Sequence, residues 1–267
     1  CRSAKLERAT AIRMLRTAIF PATICGAMAL LLTVSTFAQE MRARFPYPER
    51  LSYRVEWHMI TAGVATVELV HGQPADWRID MTLESAGTVA RLYHLLDKYH
   101  VITGPKFCAD EAELDAEQGK QHRITHLIFD NVAHKVKLTR RDLKTNTVET
   151  KEVAIAPCTH DVLGALAVLR TMNMQPGAWQ SFPTTNGKKM VYVKIHALDK
   201  ETIKVDGNTY HTIRYEAYLF NKTLYKRKGR CLLWLTDDAA KIPVQFRFQF
   251  GFPMGTISVE LQKRDVL

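Results

Sequence analysis

The sequence predicts a mainly β protein, a strongly curved antiparallel sheet (a half-barrel or clam) wrapped around one buried apolar helix. Two observations support this fold class. Short stretches along most of the chain alternate apolar and polar residues, which is the period of a half-buried strand. One stretch, 161–172, is strongly helical and apolar nearly all round, so most of its surface needs cover. In a chain otherwise made of strands, the concave side of a sheet supplies that cover.

The last third of the chain holds the clearest strands. Residues 244–250 alternate aromatic or aliphatic side chains with Gln and Arg, and 257–261 alternate in the same way. The stretch 231–235 is apolar on both faces, so we expect that strand to be covered on both sides. Because Asp237 and Asp238 are short carboxylates that can bond their own backbone, they favour a turn over an acid–base or calcium pair. The pattern predicts a three-stranded meander.

The remaining elements follow from the same periodicities. A short helix is predicted over 89–96, and Thr159 is a candidate N-cap for the apolar helix. Asn186-Gly187 and Asp206-Gly207 predict two hairpin turns of type I′. Upstream of the meander, strands are predicted over 51–60, 64–71, 77–83, 99–103, 111–117, 121–129, 135–142, 148–155, 179–183, 190–198, 201–205 and 208–220.

The N-terminal segment predicts export. Residues 2–17 are basic and polar, 18–34 carry no charge, and small residues follow at 35–38, as in a secretory signal peptide spanning 1–38. The rival interpretation is a retained membrane anchor, although a run of about 17 apolar residues is at the lower limit for spanning. A lead-in segment, 39–50, and a single β-rich domain, 51–267, complete the organisation. We therefore expect a periplasmic or otherwise exported protein.

Three cysteines follow the predicted signal peptide, and export implies an oxidising compartment. Cys108 and Cys158 both lie beside loop signals, whereas Cys231 lies within an apolar strand. We expect Cys108 and Cys158 to form a disulfide and Cys231 to be a buried thiol. A redox-active pair is the alternative, but no Cys-x-x-Cys spacing supports it.

The charge balance favours anionic partners. The 267 residues carry a formal net charge of +10. Zinc-finger spacing and a basic helix are both missing from the sequence, so nucleic acid is not an expected partner. The densest charge feature is a basic rim that would meet head groups or acidic glycans, or is a solvated loop; its members are Lys222, Lys226, Arg227, Lys228 and Arg230.

No local motif indicates catalysis, a metal or a cofactor. His122 and His126 are four residues apart, but on a strand that spacing separates them by about 13 Å, too far to share one metal ion. Cys158, His160 and Asp161 bring a thiol, an imidazole and a carboxylate together in sequence, yet a catalytic dyad needs contact in space. We expect no catalytic residue, no metal and no cofactor.

Several segments resemble a bacterial exported family catalogued as domain of unknown function 3108. Residues 226–230, 233–238, 241–244 and 255–257 resemble its C-terminal signature, 53–57 with 62–63 its opening hairpin, and 157–158 with 161–163 its central helix entry. The resemblance extends over most of 50–263. It implies an exported protein with a curved antiparallel sheet around a helix, similar to the lipoprotein-carrier half-barrels. It implies no catalytic residue.

The leading functional hypothesis is a monomeric, non-enzymatic binder or carrier of an apolar ligand such as lipid or a lipoprotein acyl chain. The alternatives are an envelope scaffold or assembly factor that binds a protein partner and, third, an envelope hydrolase. Under the first hypothesis, the predicted ligand-contact residues are Trp57, Leu163, Leu166, Leu233, Trp234, Phe246 and Phe248.

Overall fold

The structure is a computed structural model and describes residues 45–72 and 76–267. The predicted signal peptide and the first part of the lead-in lie outside these residues. The elements are β1 (Glu49–Trp57), β2 (Ile60–His71), β3 (Trp77–Ser85), α1 (Gly87–Leu92), β4 (Leu95–Thr103), β5 (Ala109–Gln118), β6 (Gln121–Asp130), β7 (Lys135–Asp142), β8 (Thr147–Ala154), α2 (Val162–Thr171), β9 (Trp179–Thr185), β10 (Met190–Val205), β11 (Asn208–Ala217), β12 (Gly229–Thr236), β13 (Pro243–Phe250) and β14 (Thr256–Val266).

All fourteen strands form one antiparallel sheet in the order β8-β7-β6-β5-β4-β3-β2-β1-β14-β13-β12-β11-β10-β9. The first and last strands pair in the middle, where Val55 is opposite Val259. Every other neighbour is joined by a direct connection, so the chain runs as two meanders that meet along β1 and β14. The sheet is not closed: β8 and β9 are its edges, and α2 lies in the connection between them. The mainly β prediction is confirmed.

Three local predictions differ from the structure. Leu95 and Leu96, placed in the short helix by their spacing, are in β4, because pairing with β3 and β5 outweighs a six-residue helix that buries nothing. The two strands predicted at 190–198 and 201–205 are one strand with a register shift between Ala197 and Lys200. The β9–β10 turn is not the predicted type I′ turn, because only Gly187 has a positive φ. The turn has four residues, and the Asn186 side chain shapes it by accepting hydrogen bonds from the amides of Lys188 and Lys189.

The N-cap of helix α2 is Asp161 rather than Thr159. The Asp161 carboxylate accepts hydrogen bonds from the amides of Leu163 and Gly164, at 2.8 and 2.9 Å, and so caps the helix. Every residue of α2 is buried or half-buried. Ala165 and Leu169 belong to a core cluster formed with β9–β12, whereas Ala167 belongs to a larger cluster that includes β1–β7.

Strand β12 is buried on both faces, as its sequence predicts. Cys231 and Leu233 share the core cluster that contains Ala165 and Leu169 of α2. Leu232 and Trp234, on the other face, share a cluster against which Ile203 of β10 packs. The Trp234 indole N–H donates to Glu201 at 2.8 Å. Protein side chains therefore cover both faces of this strand.

Two cross-links hold the connection between the sheet edges. Cys108, before β5, and Cys158, before α2, form the predicted disulfide, and Cys231 is a buried free thiol. Glu49 of β1 contacts Arg170 of α2 at 2.5 Å and Arg264 of β14 at 3.0 Å. Because Glu49 and Arg170 are 1% and 6% exposed, this is a buried ion pair. It ties the helix to the central strands.

Within residues 45–72 and 76–267, neither helix has the length and apolar character needed to cross a bilayer.

Candidate functional site

The inner face of the sheet, the face that carries Tyr53, loses burial toward one end of the strands. Along β1, Leu51 and Tyr53 are fully buried, Val55 is half-buried and Trp57 is 37% exposed. Along β14, which runs antiparallel, Leu261 is buried and the earlier apolar positions are half-buried. The interior is therefore close-packed at one end of the strands and reached by solvent at the other.

The half-buried side chains form a continuous apolar surface across β13, β14 and β1. Directly opposed residues of an antiparallel pair lie on the same face. Phe246 is opposite Val259, which is opposite Val55; Phe248 is opposite Ile257, which is opposite Trp57. We call these two rows the inner groove; its members are Val55, Trp57, Phe246, Phe248, Ile257 and Val259.

Helix α2 and β12 supply the deep side of the inner groove. Phe246 packs against both core clusters, so it lies where they meet. Leu233 is fully buried and directly opposite Phe246. Leu163 packs against one cluster and Leu166 against the other, and both are half-buried.

The structure therefore brings six of the seven predicted ligand-contact residues to the inner face or to α2. Trp57 lies at the solvent-exposed limit, with its indole N–H donating to the carbonyl of Met254 at 2.6 Å. Trp234 lies apart, on the other face of β12, with the guanidinium of Arg247 5.3 Å from its ring centre. Trp234 therefore lies on the opposite side of the sheet from the groove that the other predicted contact residues line.

The predicted basic rim lies in and beside the connection 218–228, at the solvent-exposed end of the inner groove. Phe220 of this connection makes edge contacts with Phe248 and Phe250, at 6.4 and 5.1 Å between ring centres. Arg230 is held by two 2.8 Å bonds to Glu216, and this contact lowers the pKa of the Glu216 carboxyl. Among the residues that the structure describes, the other four rim cations, Lys222, Lys226, Arg227 and Lys228, pair with no carboxylate.

The inner face of β4–β8 is polar toward the same end. Arg123 bonds Asp142 at 3.2 Å, and Arg140 contacts Glu149 at 2.9 Å. Burial raises the pKa of the Asp97 carboxyl on β4. The groove thus has an apolar wall on β1, β13 and β14 and a polar wall on the opposite side of the open end.

Below the inner groove, a buried carboxylate links α2 to β4. Asp161 also bonds the Tyr99 hydroxyl, and burial raises the pKa of both groups. Burial and the Asp161 charge raise the pKa of Tyr225 to about 12. At neutral pH both phenols are protonated, so neither can act as a base, and the Tyr99 hydroxyl can donate to Asp161 at the helix end.

The two best-formed cavities of the described chain lie elsewhere. One, of about 330 Å³, is lined by Trp179, Gln180, Ser181 and Lys194. The other, of about 300 Å³, lies over β3–β5 and includes Met81 and Tyr99. Neither cavity is lined by a residue of α2 or by a member of the inner groove.

The histidines of the candidate metal and catalytic motifs form structural hydrogen bonds. His122 bonds Asp115 at 2.7 Å and His126 bonds Glu111 at 2.6 Å, both on β6. The His160 Nδ1 lies 2.6 Å from the carbonyl of Phe107, and burial lowers the pKa of this imidazole. Across the described ranges, three or more His, Cys, Asp or Glu side chains never converge as a metal site would require.

Two features of the candidate site escaped the sequence patterns. Val55, Ile257 and Val259 complete the inner groove, and their alternation predicted strands without predicting which strands would be neighbours. The Phe220 contacts were missed because the predicted strand ran to 220, whereas β11 ends at Ala217.

Of the solved structures compared with this chain, one supports the fold. No curated protein matches the chain. A β-barrel-like protein from Brucella abortus, with a domain of unknown function designated DUF1849, aligns with 84% of this chain and 100% of its own at 8% identity and a TM-score of 0.56. A protein with a YmcC-like fold from Bacteroides fragilis aligns over the same shares at 7% identity and a TM-score of 0.33. The model of the family described as protein of unknown function (DUF3108) matches residues 52–262. The chain therefore belongs to the DUF3108 family.

Proposed function

We propose that this protein is an exported, non-enzymatic binder or carrier of an apolar ligand, a lipid or an acyl chain, and that the ligand lies in the inner groove. The observation that carries the proposal is the loss of burial along the inner face. Val55, Val259 and Phe248 are apolar and lie on the same face as the buried Tyr53 and Leu261, yet they remain half-buried.

An apolar surface that solvent reaches gains stability when a ligand removes it from water. Burial of the inner face decreases along the strand direction toward the solvent-exposed end, which suits a long chain that enters from that end. Unpaired cations of the basic rim, such as Lys226 and Lys228, lie at that end, where they would meet a negatively charged head group. Chain inside and head group outside is the arrangement that we infer.

A titration with cis-parinaric acid, a fluorescent fatty acid, tests this function. We expect saturable binding, and Phe248→Ser to weaken it at least tenfold because it removes an aromatic wall of the groove. Ile128→Ser is the matched control, since Ile128 is an exposed apolar residue on the other face of the sheet and its loss leaves the groove intact.

Native mass spectrometry of protein purified from membranes supplies an independent test, with co-purifying lipid as the expected result. Non-saturable probe binding together with lipid-free protein would refute the proposal. Equal weakening by both variants would place the probe outside the groove and would refute it as well.

An envelope scaffold is the second candidate, and one observation favours it. Strand β8 is an edge of the sheet and seven of its eight residues are exposed. Such an edge can accept a strand from a partner protein. Val148→Pro at this edge would abolish partner capture under the scaffold hypothesis and leave fatty-acid binding unchanged under the carrier hypothesis.

A further inference from the structure

The antiparallel order gathers seven connections at one end of the sheet. Each strand runs opposite to its neighbours, so alternate connections fall at the same end. The end at which the inner groove opens holds the connections 58–59, 86–94, 119–120, 143–146, 186–189, 218–228 and 251–255. We call this set the cationic end, after the basic residues of its connections.

The seven connections contain nine basic residues and no Asp or Glu; the nine are Arg91, Lys120, Lys144, Lys188, Lys189, Lys222, Lys226, Arg227 and Lys228. The connections at the opposite end are nearly balanced, with the acids Asp76, Asp206, Asp237 and Asp238 against the bases Lys106, Arg170 and Lys241. Basic residues of the connections are therefore concentrated at the cationic end, although they come from distant parts of the sequence.

The cations of the cationic end are available to a partner. In the described part of the chain, none of the nine forms an ion pair with a carboxylate. Two nearby strand carboxylates are engaged with strand arginines: Asp142 with Arg123 and Glu149 with Arg140. Burial lowers the pKa of the Lys188 ammonium, and Arg140 and other cations lower it further.

Apolar side chains project from the same connections. Phe252 is 100% exposed, Met59 94% and Leu92 86%. The remaining large apolar residue with comparable exposure in the described chain, Val132 at 92%, lies at the opposite end. Isolated exposed apolar residues need no explanation, but three at the tips of neighbouring turns form a common surface.

These turns are held together by direct contacts. The indole of Trp57 bonds Met254, which joins the β1–β2 turn to the β13–β14 connection. Arg227 contacts the Met254 sulfur and lies 5.5 Å from the Phe250 ring centre, which joins the basic loop to the same place. The α1 connection bonds β2 through the amide of Ala86 and the carbonyl of Ala62. The apolar tips and the basic loop are therefore parts of one surface.

We propose that the cationic end docks on a bilayer that carries anionic phospholipid head groups, with Phe252, Met59 and Leu92 entering the boundary between head groups and acyl chains. Charge complementarity and exposed apolar tips are the two signals that stable interfacial binding requires together. Trp57 and Tyr93 lie beside the tips, and such amphipathic rings suit the head-group level. Docking in this pose turns the open end of the inner groove toward the lipid.

Vesicle co-sedimentation of the full chain tests the proposal, with vesicles of phosphatidylcholine alone or with added phosphatidylglycerol. We expect at least tenfold tighter binding to the anionic vesicles and weakening by salt. Two variants probe the two signals: Met59→Ser/Leu92→Ser/Phe252→Ser and Lys226→Gln/Arg227→Gln/Lys228→Gln. Each variant is expected to bind the anionic vesicles at least tenfold more weakly than wild type. The matched control at the other end, Val132→Ser, should bind them within twofold of wild type. All forms share the same N-terminal segment, and circular dichroism verifies folding.

Unchanged vesicle binding by both variants, or equal binding to both vesicle types, would overturn the proposal. A charge-dependent interaction that the apolar triple variant leaves intact, and that soluble heparin reproduces, would instead assign the surface to an anionic polymer. The proposal goes beyond acyl-chain binding and fails separately from it. The apolar triple variant should still bind cis-parinaric acid, because its three residues lie outside the inner groove.

Discussion

The substitution Glu49→Gln tests the buried ion pair that joins α2 to the central strands. The change keeps the shape of the side chain but removes the charge that faces Arg170 and Arg264. Arg170 would remain 6% exposed with no carboxylate, and breaking a buried pair from one side costs about 3–5 kcal/mol. We expect the lower value, about 3 kcal/mol, because the Arg170 guanidinium also donates to the carbonyls of Lys241 and Ala240.

Thermal unfolding followed by circular dichroism measures this loss. For a domain of this size, about 3 kcal/mol corresponds to a fall in Tm of about 9 °C. Glu68→Gln is the control, since its ion pair with Arg50 is solvent-exposed and its loss should cost less than about 1 kcal/mol. The double variant Glu49→Met/Arg170→Met should be less damaging than Glu49→Gln. A Tm for Glu49→Gln equal to that of the control would refute the reasoning.

Further predictions concern single sites. Gly187→Ala should lower the free energy of unfolding by about 3 kcal/mol and Gly207→Ala by about 1 kcal/mol. Both glycines have positive φ, but only at Gly187 would a Cβ atom meet other side chains, Leu127 at 2.3 Å and Leu138 at 2.8 Å. Equal urea midpoints for the two variants would contradict this. Replacing both Cys108 and Cys158 by Ser should cost about 4 kcal/mol in the chain-entropy model, measured by urea unfolding against wild type, and an unshifted midpoint would count against it. Burial raises the pKa of Cys231 to about 12, so peptide mapping should find it alkylated by iodoacetamide at pH 8 only after unfolding; modification of the native protein would show that the site opens. Arg230 lowers the pKa of Glu216, so this carboxylate stabilises the fold above its unfolded pKa, and the stabilisation is lost as the pH falls through the folded pKa. Glu216→Gln should therefore lower Tm more at pH 7 than at pH 3. A difference in Tm that does not change with pH would exclude this linkage.

The local predictions succeeded where one segment carries the whole signal. Alternation along 244–250 located β13 within a residue, because successive side chains of a strand point to opposite faces whatever its neighbours are. The apolar composition of 161–172 located α2 equally well. The short helix ends at Leu92 rather than at Leu96, because a few apolar residues do not fix a helix boundary and Leu95 and Leu96 pair with the neighbouring strands instead.

By itself, the sequence determined the strands, the central helix and the pairing of Cys108 with Cys158, since each depends on periodicity, composition or turn chemistry read over a few residues. Only the tertiary structure decided that β1 pairs with β14, that Trp234 faces away from Leu233's side of the sheet, and that Glu49 meets Arg170. It also decided the inner groove and the cationic end, because both assemble residues from connections and strands far apart in the chain. Pairing between distant strands depends on which faces the whole chain can bury together, and no local period records that choice.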